Sequence, residues 1–301
     1  MSAIVGNMPS SRNWAGVAWN GSVFCAVAGG TNIAATSPDG INWTARVLPA
    51  SAQWSDIASS GTVFCATKSN AAVIGEIFAY SYDGITWVKS NSVDTTFYSR
   101  GIAYGTGVFC SADSLGTRVY RSSNGITFSS GTLPGHTYWN RIAWSGSLFC
   151  VNVLDTAVNY AATSPDGITW SYTTLPITEQ WSGIAGGNGK ICILPQTSSA
   201  TQCVVSNNGT DWQVGTLPPA LWRHIVWTGS AFCALPATGS NIYVSEDGVT
   251  WQAKSLPVSG TWTSMTKTGA AILLLSYTNS VLIDDWSSFW CNFKGQSEII
   301  A

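Results

Sequence analysis

The stretch Ser37-Pro38-Asp39-Gly40-Ile41-Asn42-Trp43 decides the fold, because the chain returns to the same pattern several times. Close copies run over residues 81–87, 164–170 and 245–251, and weaker copies with Asn in place of Asp run over 122–128 and 206–212. Each copy joins a short apolar run to an Asp-Gly or Asn-Gly corner and an aromatic residue, which is the pattern of a β-hairpin. The repeated hairpin predicts an all-β repeat protein.

A second landmark, Trp-x-x-Ile/Val-Ala, divides the chain into units of about 40 to 45 residues, a period typical of β-propeller blades. We predict one propeller domain over residues 1–301, with seven blades of four antiparallel strands. The blades are predicted to begin near residues 14, 54, 99, 139, 181, 222 and 262. The four strands of the first are predicted at Trp14–Trp19, Val23–Ala28, Ile33–Ser37 and Ile41–Val47. A Leu-Pro pair, as in Leu48-Pro49, is expected to end each outer strand, because proline cannot donate to a continuing ladder.

The two ends of the chain are predicted to meet in one blade. Met8-Pro9 occupies the register of a Leu-Pro pair, so Ala3–Asn7 is expected to form an outer strand that precedes the first unit. A ring of blades must close to bury its apolar faces. We therefore expect the N-terminal strand to join the C-terminal blade, which also carries an aromatic residue, Trp290, at the outer-strand position.

Composition excludes several classes of function. Only 9% of residues are charged and the net charge is −2, so a strongly basic surface for nucleic acid or for an anionic membrane is not expected. No apolar run approaches the roughly 20 residues that a membrane span needs. The first residues lack the basic and apolar regions of a secretory signal peptide, which predicts synthesis in the cytoplasm without a leader.

The cysteines are predicted to be structural. Six of them occupy the same place in successive units: Cys25, Cys65, Cys110, Cys150, Cys192 and Cys233. Equivalent positions in neighbouring blades are expected about 10 Å apart, too far for a disulfide, which needs Cα atoms within about 7 Å. We predict buried free thiols, with no metal and no cofactor, because no Cys-x-x-Cys pair or histidine cluster is present. Cys203 and Cys291 fall outside this register and are the two cysteines that remain open to a special role.

The corner motif resembles the Asp-box (BNR) repeat family, although it is one residue shorter between Asp and Gly. The resemblance implies that Asp39, Asp83, Asp166 and Asp247 cap backbone amides in the turns. It also implies that Trp43, Trp87, Trp170, Trp212 and Trp251 are wedges between sheets. Asp-box propellers include sialidases, sugar-binding proteins and bacteriophage particle proteins. A sialidase needs three clamping arginines, a Tyr–Glu pair and an acidic acid/base, and neither the seven arginines nor the four glutamates form that set. We therefore expect no enzymatic activity.

Two sets of side chains are candidate ligand-binding residues. The first is a ring of indoles at the heads of the inner strands, Trp14, Trp54, Trp139, Trp181, Trp222 and Trp262, which could stack on sugar rings or instead pack between blades. The second contains the polar residues that follow these positions: Asp56, Arg100, Arg141, Arg223 and His224. Strand alternation would turn one of the two positions after each Trp toward the central channel. This second set could bind an anion, an acidic sugar or a partner protein, or it could be solvated lining with local ion pairs.

These observations predict a structural or recognition protein. The first hypothesis is a virion component of a bacteriophage, in the tail or on the capsid, which contacts other virion proteins or a host surface glycan. The second is a free-standing lectin-like propeller that uses the Trp ring. An Asp-box glycosidase is disfavoured. The composition and the repeat style favour the first, by analogy with phage propellers.

Overall fold

The computed structural model describes residues 4–69, 77–91, 97–135, 137–155, 158–268, 271–277 and 280–285. Every regular element in these ranges is a β-strand, which confirms the predicted all-β class. The predicted Trp290 strand and Cys291 lie outside the described residues.

The strands of the first half of the chain are β1 Ile4–Asn7, β2 Trp14–Trp19, β3 Phe24–Ser37, β4 Thr44–Ser59, β5 Phe64–Lys68, β6 Phe78–Ser81, β7 Val88–Lys89, β8 Ser99–Gly105, β9 Val108–Asp113, β10 Arg118–Ser122, β11 Ser129–Thr132, β12 Trp139–Trp144 and β13 Phe149–Val153. Those of the second half are β14 Val158–Ser164, β15 Ser171–Glu179, β16 Trp181–Gly187, β17 Lys190–Pro195, β18 Gln202–Ser206, β19 Trp212–Thr216, β20 Trp222–Trp227, β21 Phe232–Pro236, β22 Thr238–Ser245, β23 Gln252–Lys267, β24 Ala271–Ser276 and β25 Ser280–Asp285.

The described strands form five antiparallel sheets. Three of them have four strands, in the orders β8-β9-β10-β11, β12-β13-β14-β15 and β16-β17-β18-β19. The other two have six and seven strands, because β4 and β23 each run without a break from the outer strand of one unit into the inner strand of the next. Successive sheets pack side by side through their inner strands, as the blades of a β-propeller do.

The prediction that each outer strand ends at its Leu-Pro pair is wrong for β4, β15 and β23, which continue through the pair. The reason is that the crossing segment pairs with an extended hairpin. In the first unit Gly29 lies opposite Gln53 and Thr31 opposite Ala52, beyond the proline. Proline therefore removes one amide donor without ending the strand, while β11 and β19 do end before their Leu-Pro pairs.

The N-terminal strand lies beside the C-terminal strand, as predicted. β1 pairs antiparallel with β25, with Ile4 opposite Ile283 and Asn7 opposite Ser280. At the same time the Asn7 amide donates a hydrogen bond to the Ile41 carbonyl, 3.3 Å away, in the corner of the first unit. The same link recurs between the fifth and sixth units, where the Thr216 amide donates to the Val249 carbonyl in the corner of the sixth unit.

The corners are held by their own side chains. In the first corner one carboxylate oxygen of Asp39 accepts hydrogen bonds from the Ile41 and Asn42 amides, both at 2.8 Å. The Ser37 hydroxyl oxygen accepts from the Gly40 amide at 2.8 Å, and Gly40 has the positive φ of 75° that such a corner needs. Asp83, Asp166 and Asp247 make the same bonds, and Asn124 and Asn208 replace them in the two weaker copies.

The core lies between neighbouring sheets rather than within one. One core cluster joins Val108 and Cys110 of one sheet to Trp139 and Phe149 of the next. The seven described cysteines are buried free thiols, which confirms the prediction for the six in the repeat register. Burial raises the pKa of the Cys65 thiol, so this group packs as a small apolar side chain.

Candidate functional site

Each inner strand carries a β-bulge near its head. The register shifts between Trp14 and Gly16, Trp54 and Asp56, Ser99 and Ile102, Trp139 and Ile142, Trp181 and Ile184, Trp222 and His224, and Trp262 and Ser264. A bulge places two residues opposite one and redirects the side chains that it carries. The two positions that follow each landmark Trp therefore lie where the backbone is least regular.

An axial cavity with a volume of about 170 Å³ lies between the inner strands. Its wall contains the apolar residue of each Trp-x-x-Ile landmark: Val17, Ile57, Ile102, Ile142, Ile184, Ile225 and Met265. These side chains are 5 to 7% exposed. The sequence-based predictions gave these residues no role, although the apolar residue that recurs once per unit at this position was a signal that could have identified them.

Three polar side chains enter this cavity from the second position after the landmark Trp. They are Asp56, Arg141 and His224; in the sixth unit Arg223, at the first position, lines the cavity as well. Small residues occupy this position in the other units: Gly16, Gly101, Gly183 and Ser264. A Cβ atom on Gly16 would lie 2.9 Å from the Cα of Asp56, and one on Gly101 would lie 3.2 Å from the Cα of Arg141. The glycines thus make room for the larger neighbours.

Asp56 ties two neighbouring inner strands together. Its carboxylate accepts a hydrogen bond from the Ile57 amide at 2.9 Å and another from the Ile102 amide of β8 at 3.1 Å. Burial raises the pKa of this carboxyl, while the positive charge of Arg141 and the two amide bonds oppose that shift. Asp56 is therefore a bridging acceptor with both oxygens occupied.

His224 is a neutral imidazole at physiological pH. Burial lowers its pKa well below the ordinary value of 6.5, and the positive charges of Arg141 and Arg223 lower it further. Burial also lowers the pKa of Arg141, and the negative charge of Asp56 opposes this shift. This part of the cavity thus combines the positive charge of the Arg141 guanidinium group with the uncharged imidazole of His224.

A groove of about 160 Å³ adjoins the cavity. Its walls bring together the three predicted arginines, Arg100, Arg141 and Arg223, from three different inner strands. Asn140 and Gln196 add amide groups, and Leu221 adds an apolar side chain. Arg100 and Arg223 are exposed, so their guanidinium groups are open to a ligand. Guanidinium groups bind carboxylate, sulfate and phosphate through paired N–H donors, so this groove can bind an anionic group.

The six landmark indoles pack between sheets, which is the second of the two alternatives that the sequence leaves open for them. Trp14, Trp139, Trp181 and Trp222 are 0% exposed, Trp262 is 2% and Trp54 is 3% exposed. These side chains fill the space between adjacent sheets, and several donate to nearby carbonyls, as Trp181 Nε1 does to Val158 at 2.9 Å. A buried indole cannot stack on a sugar, so these six residues do not join the polar residues in one binding surface.

Among the residues that the structure describes, no group of three or more His, Cys, Asp or Glu is arranged to hold a metal ion. In the same residues no helix has the length and apolar character of a transmembrane span.

Comparison with known proteins establishes the fold. No protein-family model matches the chain, and no curated protein sequence matches it. Among solved structures it is similar to virginiamycin B lyase from Staphylococcus aureus, with a TM-score of 0.80, 12% identity, and 94% of this chain and 98% of that chain covered. It is also similar to YCF48 bound to D1 peptide (TM-score 0.71, 13% identity, 94% and 94% covered) and to the WD40 β-propeller domain of Doa1 (TM-score 0.66, 10% identity, 92% and 94% covered). The chain is therefore a β-propeller protein; identities this low carry no activity from one protein to another.

The prediction that the chain has no enzymatic activity is contradicted by this comparison. It depended on the missing residue set of a sialidase. Virginiamycin B lyase, an enzyme of another class, has the same fold. Absence of sialidase residues therefore does not decide against an enzyme in this fold.

Proposed function

We propose that the chain is a single seven-bladed propeller whose ring is closed by β1. Two observations support this proposal. The heads of the inner strands follow one another in contact from β2 through β4, β8, β12, β16 and β20 to β23, and β23 contacts β2. In addition, β1 completes the sheet of β25 while Asn7 bonds to the corner of the first unit. The closed ring places the heads of all inner strands around one axis.

The function that the geometry supports best is recognition of an anionic group at the axial groove. The observation that carries this proposal is the convergence of Arg100, Arg141 and Arg223, which come from three inner strands and line one groove. Asp56 is the carboxylate next to them, and its oxygens already accept backbone hydrogen bonds. The groove therefore has more guanidinium charge than its own acidic group balances, and a ligand carboxylate or sulfate would complete it.

The biological setting that we propose is a bacteriophage virion, where the propeller would contact another assembly protein or a host surface glycan. The repeated Asp-Gly corners and the low charge support this setting by resemblance. Mass spectrometry of purified virions tests it, because a virion component copurifies with the particle at a fixed stoichiometry. A carbohydrate-binding role remains the alternative; with the landmark indoles buried it would use the arginine groove, which favours an acidic glycan.

Fluorescence anisotropy with two labelled anionic probes, hexaglutamate and an oligomer of polysialic acid, tests the anion site. We expect at least one probe to bind the wild type, and the affinity to fall at least about tenfold in the double variant Arg100→Ser/Arg223→Ser, since bonds to charged groups contribute about 1.5–3 kcal/mol each. The control is Lys89→Ser/Lys254→Ser, which removes the same charge from outer strands. Equal affinity of wild type and arginine variant for both probes would contradict the proposal.

A further inference from the structure

The residue just before each inner strand accepts the same backbone hydrogen bond in every unit. The acceptor carbonyls belong to Asn13, Gln53, Tyr98, Tyr138, Gln180, Leu221 and Thr261, and each takes a bond from an amide that follows the second strand of the same unit. These residues therefore occupy one structurally equivalent position. They form a rim around the heads of the inner strands.

The rim is apolar only in the units that carry a groove arginine. Tyr98 precedes Arg100, Tyr138 precedes Arg141, and Leu221 precedes Arg223, whereas the remaining units have an amide or hydroxyl side chain at this position. The apolar side chains are open to solvent: Tyr98 is 38% exposed, Tyr138 is 50% and Leu221 is 39% exposed. Among these seven equivalent positions, the apolar side chains are therefore found in the units that carry a groove arginine.

This apolar sector, which we name the aromatic rim (Tyr98, Leu115, Tyr138 and Leu221), is continuous with the groove. The Ser114 amide donates to the Tyr98 carbonyl, and the Tyr138 amide donates to the Ser114 carbonyl. The Leu154 amide then donates to the Tyr138 carbonyl, and Leu154 lines the groove. Leu221 lines the groove directly.

A buried carboxylate fixes one end of the aromatic rim. Asp113, which is 1% exposed, accepts hydrogen bonds from the amides of Tyr98 at 3.3 Å and Leu115 at 3.1 Å. Its other oxygen pairs with the Arg118 guanidinium at 3.1 Å. Leu115 is 56% exposed, so this anchoring holds an apolar side chain in solvent. A fixed exposed apolar residue loses little conformational freedom when a ligand covers it.

Tyr138 also has an unusual backbone. Its φ is 67°, a left-handed conformation that is costly for a bulky residue. The other two non-glycine residues with positive φ in the described chain, Thr106 and Asn188, each precede a glycine in a tight hairpin turn. Tyr138 is followed by Trp139, so no glycine turn accounts for its positive φ. The Tyr138 carbonyl accepts from the Leu154 amide, and Leu154 lines the groove, so this strained backbone lies next to the groove wall.

We propose that the aromatic rim and the arginine groove together dock an extended segment of a partner protein in which acidic residues alternate with aromatic or aliphatic ones. This inference rests on the proposed anion site and names its ligand. Acidic side chains, or a C-terminal carboxylate, pair with the three arginines. Apolar side chains cover Tyr98, Leu115, Tyr138 and Leu221. A linear acidic glycan offers the charge but has no apolar side chain for the two leucines, so charge and rim together favour a peptide.

Titration with two peptides of equal charge tests this inference. The probes are labelled hexaglutamate and a labelled peptide of six Glu interleaved with Leu and Trp. We expect the amphipathic peptide to bind the wild type at least about tenfold more tightly, and the double variant Tyr98→Ser/Tyr138→Ser to lose this gain while keeping its affinity for hexaglutamate. The control variant is Tyr82→Ser/Tyr172→Ser, which removes tyrosines that are 61% and 47% exposed outside the rim.

The outcomes separate the two proposals. If hexaglutamate binds with arginine dependence but the amphipathic peptide gains nothing, or gains equally in the rim variant, the peptide inference is wrong and the anion site stands. If polysialic acid binds more tightly than both peptides and loses affinity in the rim variant, the occupant is a glycan. If no probe depends on the arginines, the anion site fails as well. Thermal melting of each variant checks that the fold is kept.

Discussion

The Asp56 carboxylate accepts a hydrogen bond from the Ile102 amide across the boundary between two neighbouring units, at 3.1 Å. The bond joins β4 to β8 at the level where both strands have just passed a bulge. Gly101 lies beside it, with a potential Cβ position 3.5 Å from the Asp56 carboxylate. One side chain therefore fixes the spacing of two inner strands and the shape of the cavity end.

Replacing Asp56 by Asn is expected to change how stability depends on pH. Because burial raises the folded-state pKa of Asp56, its contribution is fully present below the unfolded value of about 3.8 and is lost as pH rises through the raised pKa. The stability of the wild type relative to Asp56→Asn should therefore decrease as pH rises from about 3.8. Urea unfolding of both proteins over a pH series measures this. A difference independent of pH would show that Asp56 has the same pKa folded and unfolded.

His224 is expected to remain neutral at pH values where an ordinary histidine is protonated. Its folded-state pKa is depressed, so its contribution to stability is present above the unfolded value of 6.5 and is lost as pH falls through the depressed pKa. The measurement is an imidazole 1H–13C NMR titration with His136 replaced by Gln to leave one signal. Titration of His224 near pH 6.5 in the folded protein would contradict the burial and charge argument.

Substitution of Arg141 by Gln is expected to raise the pKa of His224. Burial is the larger cause of the depression and remains, but the positive charge of Arg141 that adds to it is removed. The same NMR titration detects the shift, and the matched control is Arg46→Gln, because Arg46 bonds Thr36 away from the cavity. An unchanged His224 titration would mean that the two groups do not interact.

Asp247 and its neighbour Glu246 offer a matched test of the corner motif. Asp247 accepts from the Val249 amide at 2.8 Å, the Thr250 amide at 2.9 Å and the Ser245 hydroxyl at 2.8 Å. We expect Asp247→Ala to lower the free energy of unfolding by about 1–3 kcal/mol. Glu246→Ala, which removes an exposed carboxylate next to it, should change stability by less than about 0.5 kcal/mol. Equal effects of the two substitutions in urea unfolding would argue against side-chain capping of the corner.

Gly101→Ala is expected to destabilise the cavity end by about 1–3 kcal/mol, the usual cost of overpacking. The new methyl group would lie 3.2 Å from the backbone of both Arg141 and Ile142. Gly135→Ala is the control, because a Cβ there has no neighbour within 4 Å. Chemical denaturation compares the two, and a neutral Gly101→Ala would show that the inner strands can separate to accommodate a side chain.

Most parts of the fold that the sequence predicts correctly are local. Asp39 and Gly40 decide their corner within a few residues, so the hairpins and their spacing are readable from the pattern. The pairing of β1 with β25 was also readable, because Met8-Pro9 marks the register. The burial of Trp14 was left open between two alternatives, because it depends on how closely the next sheet approaches.

The site was predicted only in part, for a related reason. Alternation indicated that one of the two positions after each landmark faces the axis but not which one, because the bulge there has no sequence mark of its own. The continuation of β4 past Pro49 depends on pairing with the Gly29 hairpin, which a proline rule alone does not anticipate. The aromatic rim has no signal in the repeat, because the residue before each landmark varies from unit to unit and only the backbone hydrogen bonds show that Tyr98, Tyr138 and Leu221 are equivalent.

Methyl NMR with labelled isoleucines locates ligand binding most directly, because isoleucine lies both in the cavity beside the proposed anion site and in the corners, where no ligand is proposed. The cavity contains Ile57, Ile102, Ile142, Ile184 and Ile225, while the corners contain Ile41, Ile85, Ile126 and Ile168. Adding the amphipathic glutamate peptide is predicted to shift the cavity signals, those of Ile102, Ile142 and Ile225 most, and to leave the corner signals in place. Shifts confined to the corner isoleucines would contradict an anion site at the arginine groove.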